Sequence, residues 1–107
     1  MIKKLVTITA LAMLLGSPNS YAAILSGNKL LESCELDDAS FRDGMCYGYV
    51  FAVYDVIVGE EFCPPKGVGE QILPIVMKYL KENPENLHYN AASLVTVALG
   101  RAFPCPD

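Results

Sequence analysis

The sequence predicts an all-α fold, a small bundle of about four helices with two disulfides after an N-terminal signal peptide. Three observations lead to this prediction. Apolar residues recur at the helical period along most of the chain, four cysteines are scattered singly, and the first 22 residues carry an export pattern. No internal repeat or long linker divides the 107 residues. We therefore expect a single domain over residues 23–107.

The N-terminal segment has the three parts of a cleavable signal peptide. Lys3 and Lys4 precede a charge-free apolar run from Leu5 to Leu15, and Ser20-Tyr21-Ala22 supplies small residues where a signal peptidase cuts. The run has eleven residues, whereas a membrane-spanning helix needs about 20. No cysteine directly follows it, which argues against a lipid anchor. We predict cleavage after Ala22, export, and no membrane attachment of the mature chain.

The first two predicted helices follow the signal segment. The first covers about Ser26 to Glu35 and the second about Phe41 to Val58. Ser40, with Asp43 three residues later, has the spacing of a capping pair that opens the second helix. That helix is apolar almost all round, because it carries Met45, Tyr49, Val50, Ala52, Val53, Val56 and Ile57. Such a pattern predicts a central helix covered on several sides.

Two further helices are predicted in the second half of the chain. The third covers about Val68 to Glu82, with Pro74 expected near its first turn, where proline costs least. Asn83-Pro84-Glu85 is interpreted as both a stop and a restart. The fourth helix then runs to about Phe103. Its expected inward residues are Leu94, Val95, Ala98, Leu99 and Ala102.

The helix lengths constrain the pairing of the cysteines. Cys46 and Cys63 lie near opposite ends of the second helix, roughly 25 Å apart at 1.5 Å per residue. A disulfide tolerates a Cα separation of at most about 7 Å, so these two cannot pair. If the last three helices run up, down and up, Cys105 arrives beside Cys63. We therefore predict the pairs Cys34–Cys46 and Cys63–Cys105.

The charge and the side-chain inventory exclude several function classes. Without residues 1–22 the chain has six basic residues against twelve acidic ones, so nucleic acid and anionic membranes are improbable partners. His88 is the only histidine, and we interpret it as a helix-start or partly buried hydrogen-bonding residue. With the cysteines paired, neither a nucleophile nor a zinc site is expected. The sequence predicts no catalytic residues, no metal and no cofactor.

Three residues of the second helix, Gly44, Gly48 and Asp55, share one face with Phe51 and Gly59. Glycines at this spacing let another helix approach closely. We favour close packing within the domain, with Asp55 bonded to a tyrosine hydroxyl or a backbone N–H. The alternative is a self-association face, which would make the protein a homodimer.

The order of motifs along the chain resembles the Rap/Tai immunity proteins, periplasmic antitoxins against peptidoglycan-cleaving amidase effectors of type VI secretion. The resemblance covers about Gly27 to Pro106. Gly69 departs from the pattern, because Thr or Ser is expected there as a helix cap. The matching residues are Gly48-Tyr49-Val50, Val53, Asp55, Phe62-Cys63-Pro64-Pro65-Lys66-Gly67-Val68, Gln71, Lys78-Tyr79-Leu80, Asn83-Pro84-Glu85, Leu87-His88, Ala91-Ala92, Leu94-Val95, Ala98-Leu99 and Phe103-Pro104-Cys105.

The resemblance implies a helical, often dimeric, non-enzymatic periplasmic inhibitor that binds a cognate amidase effector and occludes its active-site cleft with a loop. By position alone, the loops Gly59–Gly67 and Asn83–Asn90 are the candidate binding surfaces. Within them we single out Glu60, Glu61, Lys66, Asn86, His88 and Tyr89. A general periplasmic chaperone or stress protein is the alternative function, and a small hydrolase is the least favoured because no catalytic set is present.

Overall fold

The structure, a computed structural model, describes residues 24–36 and 41–107, without the side chains of residues 41–43. Within these ranges the chain forms four α-helices and one 3₁₀ turn and contains no strand, only two isolated bridges. The all-α prediction is confirmed. The predicted signal peptide and the predicted Ser40–Asp43 capping pair lie outside what is described. The elements are α1 (Gly27–Glu35), α2 (Phe41–Ile57), α3 (Gly69–Glu82), the 3₁₀ turn (Pro84–Asn86) and α4 (Ala91–Ala102).

Helix α1 begins at Ser26, whose hydroxyl accepts a hydrogen bond from the Lys29 amide at 3.3 Å. Its free N-terminal amides are satisfied by the segment before α4. Gly27 N donates to the Tyr89 carbonyl and Asn28 N to the Leu87 carbonyl, both at 2.9 Å. The first helix is therefore joined to the start of the last one, which leaves few unpaired amides at its N-terminus.

Helix α2 differs from its prediction. Cys46 and Val50 are buried, but the opposite side is exposed, with Val56 at 77% and with Gly44 and Gly48 also open to solvent. Within the described chain α2 therefore covers one flank of the bundle and is not central. The physical reason is its composition, because a helix that is apolar all round does not indicate which face turns inward.

Helix α3 buries one stripe, Ile72, Val76 and Leu80, at spacings of four residues. Its N-cap position is Val68, where no side chain caps the helix. The helix therefore lacks a side-chain cap, as the absence of Thr or Ser at residue 69 predicted, but the cap position is residue 68. Pro74 lies inside the helix, beyond the first turn in which it was expected.

The fourth helix does not restart at Pro84 as predicted. Residues 84–86 form a single 3₁₀ turn, and α4 begins at Ala91, where the Asn90 side chain accepts from Ser93 N at 2.8 Å. Between the two, Leu87 is buried, and its carbonyl is used by α1. At the other end Ala102 is exposed, not inward-facing.

The core is built around α4, which contributes more of the buried residues than any other described helix. Ala91, Leu94, Val95, Ala98 and Leu99 of this helix are all buried, together with Leu30, Val50, Phe62, Val68, Ile72, Val76, Leu80 and Leu87. The central helix is thus α4.

Both predicted disulfides are confirmed. Cys34 and Cys46 have Cα atoms 5.0 Å apart and join α1 to α2. Cys63 and Cys105 have Cα atoms 4.8 Å apart and join the segment after α2 to the C-terminus. No cysteine is free.

We expect Gly27→Ala to lower the free energy of unfolding by about 1–3 kcal/mol, the usual cost of overpacking. A Cβ at residue 27 would lie 2.4 Å from Leu94 Cδ1 and 3.0 Å from the Leu87 backbone. Gly69→Ala is the matched control, because a Cβ there meets no atom within 4 Å. Urea unfolding with both disulfides intact measures the two variants. Equal stability of both would contradict the close contact.

Candidate functional site

The burial of α4 on one side determines which of its residues face outward. Ser93, Val97 and Arg101 are exposed at spacings of four residues, and Val97 leaves 39% of its surface open. We call these three residues the α4 ridge. Tyr89, 54% exposed, lies just before the helix. Tyrosine and arginine are among the residue types enriched in protein interfaces, and the exposed Val97 adds apolar area beside them.

A cleft of about 300 Å³ lies on one side of the α4 ridge. The Arg101 guanidinium carbon lies over the Tyr79 ring, 5.3 Å from its centroid, which is within the range of a cation–π interaction. We call this the Arg101 cleft. It is lined by Tyr79, Asn86, Tyr89, Asn90, Ser93, Leu94, Val97 and Arg101.

A second groove, of about 430 Å³, lies on the other side of the ridge and shares Ser93 and Val97 with the Arg101 cleft. Ile57 and Glu61 form its far wall, with Ala92 and Thr96 along the helix. The two depressions therefore form one continuous surface that runs from the 3₁₀ segment, over the ridge, to the turn after α2.

The turn after α2, residues 57–63, has a backbone fixed by several hydrogen bonds. Gly59, at φ 90°, donates to the Phe62 carbonyl at 2.8 Å, and Glu60 N donates to the Ile57 carbonyl at 3.0 Å. Phe62 is completely buried, and Cys63 N donates to the Phe103 carbonyl at 2.8 Å. With the Cys63–Cys105 disulfide, these contacts hold the exposed Glu60 and Glu61 side chains on a rigid support. We call residues 57–63 the Glu60 turn.

The predicted site residues fall into two groups that α4 separates. Glu60 and Glu61 lie near the C-terminal end of α4, whereas Asn86, His88 and Tyr89 lie near its N-terminal end. A 12-residue helix spans roughly 18 Å. Glu61, Asn86 and Tyr89 border the continuous surface. Lys66 is exposed but lines neither depression, and neither do Glu60 and His88.

Sequence reasoning missed the α4 ridge, which connects the two loops. The signal was the four-residue spacing of Ser93, Val97 and Arg101, the outward counterpart of the buried stripe. Because the outward positions of α4 carry a single valine among small and polar residues, the sequence alone did not mark them as a binding surface.

The second predicted face, on α2, is open in the structure. A Cβ on Gly44 or Gly48 would have no atom within 4 Å outside its own helix turn, so no described helix packs there. The interpretation as close packing within the domain is therefore wrong for the described chain. Asp55 is exposed and makes no hydrogen bond with a described residue, so its predicted bond to a tyrosine or an amide is wrong too.

Apart from Asp55, this open α2 face is apolar, and it is recessed at the glycines. Gly44, Met45, Gly48 and Tyr49 line a shallow groove of about 430 Å³. Beside it the Tyr47 and Phe51 rings stack at 6.3 Å, and Tyr47 is half exposed. We call the exposed residues Gly44, Tyr47, Gly48, Ala52 and Val56 the α2 face.

The described residues offer few groups for chemistry. His88 is exposed, and its ring lies against that of Tyr89 with the centroids 4.1 Å apart and the ring planes tilted by 37°. In residues 24–36 and 41–107, no group of three His, Cys, Asp or Glu side chains could hold a metal ion. None of the helices described is both long and apolar enough to cross a membrane.

Tyr49 connects α2 to the start of α4. Burial raises the pKa of its hydroxyl above the usual 10.0, and a hydrogen bond with the Ala92 backbone partly opposes that rise. The hydroxyl is therefore protonated in the folded protein over the whole neutral range.

A family model described as Rap1a immunity proteins matches residues 26–105. The matched segment contains all four helices and both disulfides. No curated protein matches the chain.

We expect the stability of the protein to fall above pH 10 in a way that Tyr49→Phe reduces. Because folding raises the Tyr49 pKa, the folded state holds the proton more tightly than the unfolded state. This contribution is fully present below pH 10 and is lost as the pH rises through the folded-state pKa. The free energy of unfolding in urea is measured for both proteins from about pH 8 to about pH 11, a range that brackets the usual tyrosine pKa of about 10. Parallel curves would contradict this expectation.

Proposed function

The chain belongs to the Rap1a immunity proteins, and from that premise we propose that it binds and inhibits a peptidoglycan-cleaving amidase effector of type VI secretion. Membership supports an immunity function and implies a cognate effector as partner. The proposal adds the amidase as the target, occlusion of its active site as the mechanism, and the periplasm as the place of action.

The observation that carries the occlusion mechanism is the rigid Glu60 turn beside the α4 ridge. A loop that blocks a cleft binds more tightly when little conformational entropy is lost on binding. The backbone of this turn is held by the buried Phe62 and by the Cys63–Cys105 disulfide. Glu60 and Glu61 can therefore enter a cleft without first becoming ordered, while Val97 and Tyr89 supply apolar contact area.

Inhibition by occlusion needs no chemistry from the inhibitor itself. All four cysteines are in disulfides, and the one histidine lies against a tyrosine ring at the surface. We therefore propose a non-enzymatic protein that inhibits its target by binding it tightly. A Kd of about 1 nM, equivalent to −12 kcal/mol, is a reasonable scale for an inhibitor that must outcompete a delivered toxin.

The periplasm is the compartment that suits both the target and the disulfides. Peptidoglycan lies outside the inner membrane, so an inhibitor retained in the cytoplasm would not meet the amidase. The bacterial periplasm is oxidising, whereas cytoplasmic thiols stay reduced. The N-terminal pattern at residues 1–22 is the feature that supports export.

The proposal includes self-association through the α2 face. Val56 is largely exposed and Tyr47 half exposed there, and the open Gly44 and Gly48 positions would admit a second helix at short range. A two-fold axis makes such a patch self-complementary. Two antiparallel copies that cross at Gly48 would place their Asp55 side chains about 20 Å apart at 1.5 Å per residue. Because the Debye length is about 8 Å at physiological salt, repulsion between them is weak.

We expect periplasmic expression of the chain to protect cells against its cognate amidase, and expression without residues 1–22 to give no protection. Val97→Glu should weaken both protection and amidase binding by at least about tenfold, since it places an unpaired charge in the interface. Gln71→Glu adds the same charge at an exposed position on α3 and should have no effect. Intoxication assays and calorimetry with amidases encoded beside the source locus measure these effects.

Occlusion also predicts competitive inhibition, so raising the concentration of soluble peptidoglycan fragments should relieve it. Inhibition that substrate cannot relieve would contradict a blocked cleft. Failure to bind any amidase, together with suppressed aggregation of unrelated proteins, would support the chaperone alternative. Amide cleavage by the purified protein alone would contradict the non-enzymatic proposal.

We expect the mature protein to be a dimer that Gly48→Arg converts to a monomer. The new side chain has room in the isolated chain but would separate the paired helices. Gln71→Arg, at an exposed site on α3, is the matched control and should remain dimeric. Sedimentation velocity at several concentrations distinguishes the two states. A monomeric parent protein, or a dimeric Gly48→Arg variant, would rule out association through this face.

A further inference from the structure

We infer that the Arg101 cleft is a carboxylate-binding pocket, and that it receives an Asp or Glu side chain of the effector. This inference rests on the proposed function for the identity of the partner. The pocket chemistry itself rests only on the residues that line the cleft.

Arg101 carries a positive charge that no described carboxylate pairs with. The described ion pairs join Lys29 to Glu32 and Lys78 to Glu82, and no carboxylate of the described residues pairs with Arg101. No Asp or Glu lines the cleft. In a chain with more acidic than basic residues, this leaves a cationic group free to pair with an external anion.

The Arg101 guanidinium lies over an aromatic ring. Its carbon lies 5.3 Å from the Tyr79 ring centroid, so the aromatic ring supports the cation from one side. A guanidinium has five N–H donors in a planar fork that matches the two oxygens of a carboxylate. Support by Tyr79 restricts the arginine side chain, and thereby lowers the entropy lost when a carboxylate binds.

The other residues that line the Arg101 cleft combine polar groups with apolar walls. Ser93 and Asn86 add polar groups able to donate to an oxygen, and Tyr89, Leu94 and Val97 provide apolar walls. This combination suits a carboxylate on a short apolar stem. The cleft measures about 300 Å³, the lower limit for small-molecule sites. It also lies on the α4 ridge, and both facts favour a side chain of a docked protein over a separate metabolite.

The first test needs no effector. Backbone and arginine side-chain NMR spectra of the mature chain are recorded with N-acetyl-glutamate amide and with the neutral N-acetyl-glutamine amide, at equal ionic strength. We expect shifts at Tyr79, Ser93 and Arg101 with the carboxylate only. Arg101→Gln and Tyr79→Leu should remove them, whereas Tyr79→Phe, which keeps the ring, should retain them. Equal shifts with both ligands, or shifts outside the cleft, would overturn the inference.

The second test uses an amidase that the parent protein binds. Arg101→Gln is expected to raise the Kd about 10- to 100-fold and to reduce its salt dependence, while Arg101→Lys recovers only part of the affinity because it lacks the planar fork. An unchanged Kd would exclude the acidic side chain of the effector as the occupant. Absence of any amidase partner would instead contradict the proposed function, and the NMR test would still decide the pocket chemistry.

Discussion

Burial of α4 is the constraint on which the rest of the structure depends. Leu94, Val95, Ala98 and Leu99 are each at most 4% exposed, and α1, α2 and α3 all contact this helix. Truncation of one such leucine to alanine typically costs about 2–5 kcal/mol, which is a large part of a total stability of about 5–15 kcal/mol. The buried stripe therefore fixes the rotation of α4. It is this rotation that turns Val97 and Arg101 outward and creates the proposed binding surface.

The two ends of α4 are fixed by different physical means. At the N-terminal end, backbone hydrogen bonds from α1 to the Leu87 and Tyr89 carbonyls hold the adjoining loop. At the C-terminal end, the Cys63–Cys105 disulfide closes a loop with a sequence separation of 42 residues, against 12 for Cys34–Cys46. In the chain-entropy model these closures contribute about 4 and about 3 kcal/mol. Both candidate loops are thus held to the same helix, so that the ridge and the loops form one rigid surface.

Sequence reasoning predicted those parts of the fold that local patterns determine. The positions of α1 and α3 along the chain follow from the helical period, and the disulfide pairing follows from the length of α2. The orientation of α2 could not be predicted, because its apolar residues surround the helix. The start of α4 was equally ambiguous, since both Pro84 and Asn90 are helix-start signals. The helix takes the later start, and Leu87 between the two signals is buried. That burial depends on tertiary packing, which a local pattern does not show.

The candidate site was predicted only in its parts. The sequence pointed to the loops with Glu61 and Tyr89 by position alone, and both residues are exposed in the structure. Whether these two loops share one surface depends on which side of α4 faces outward. The Arg101–Tyr79 contact joins residues on different helices, and no local pattern contains it.

We propose that the effector docks on the Glu60 turn, the α4 ridge and the segment around Tyr89. Hydrogen–deuterium exchange of the mature chain, free and bound to an amidase effector, measures this docking surface. We predict slower exchange in the complex at residues 59–61 and 86–93, with unchanged exchange in the α2 face around Gly48. Protection confined to α2 and α3, with both α4-flanking segments unchanged, would contradict the account.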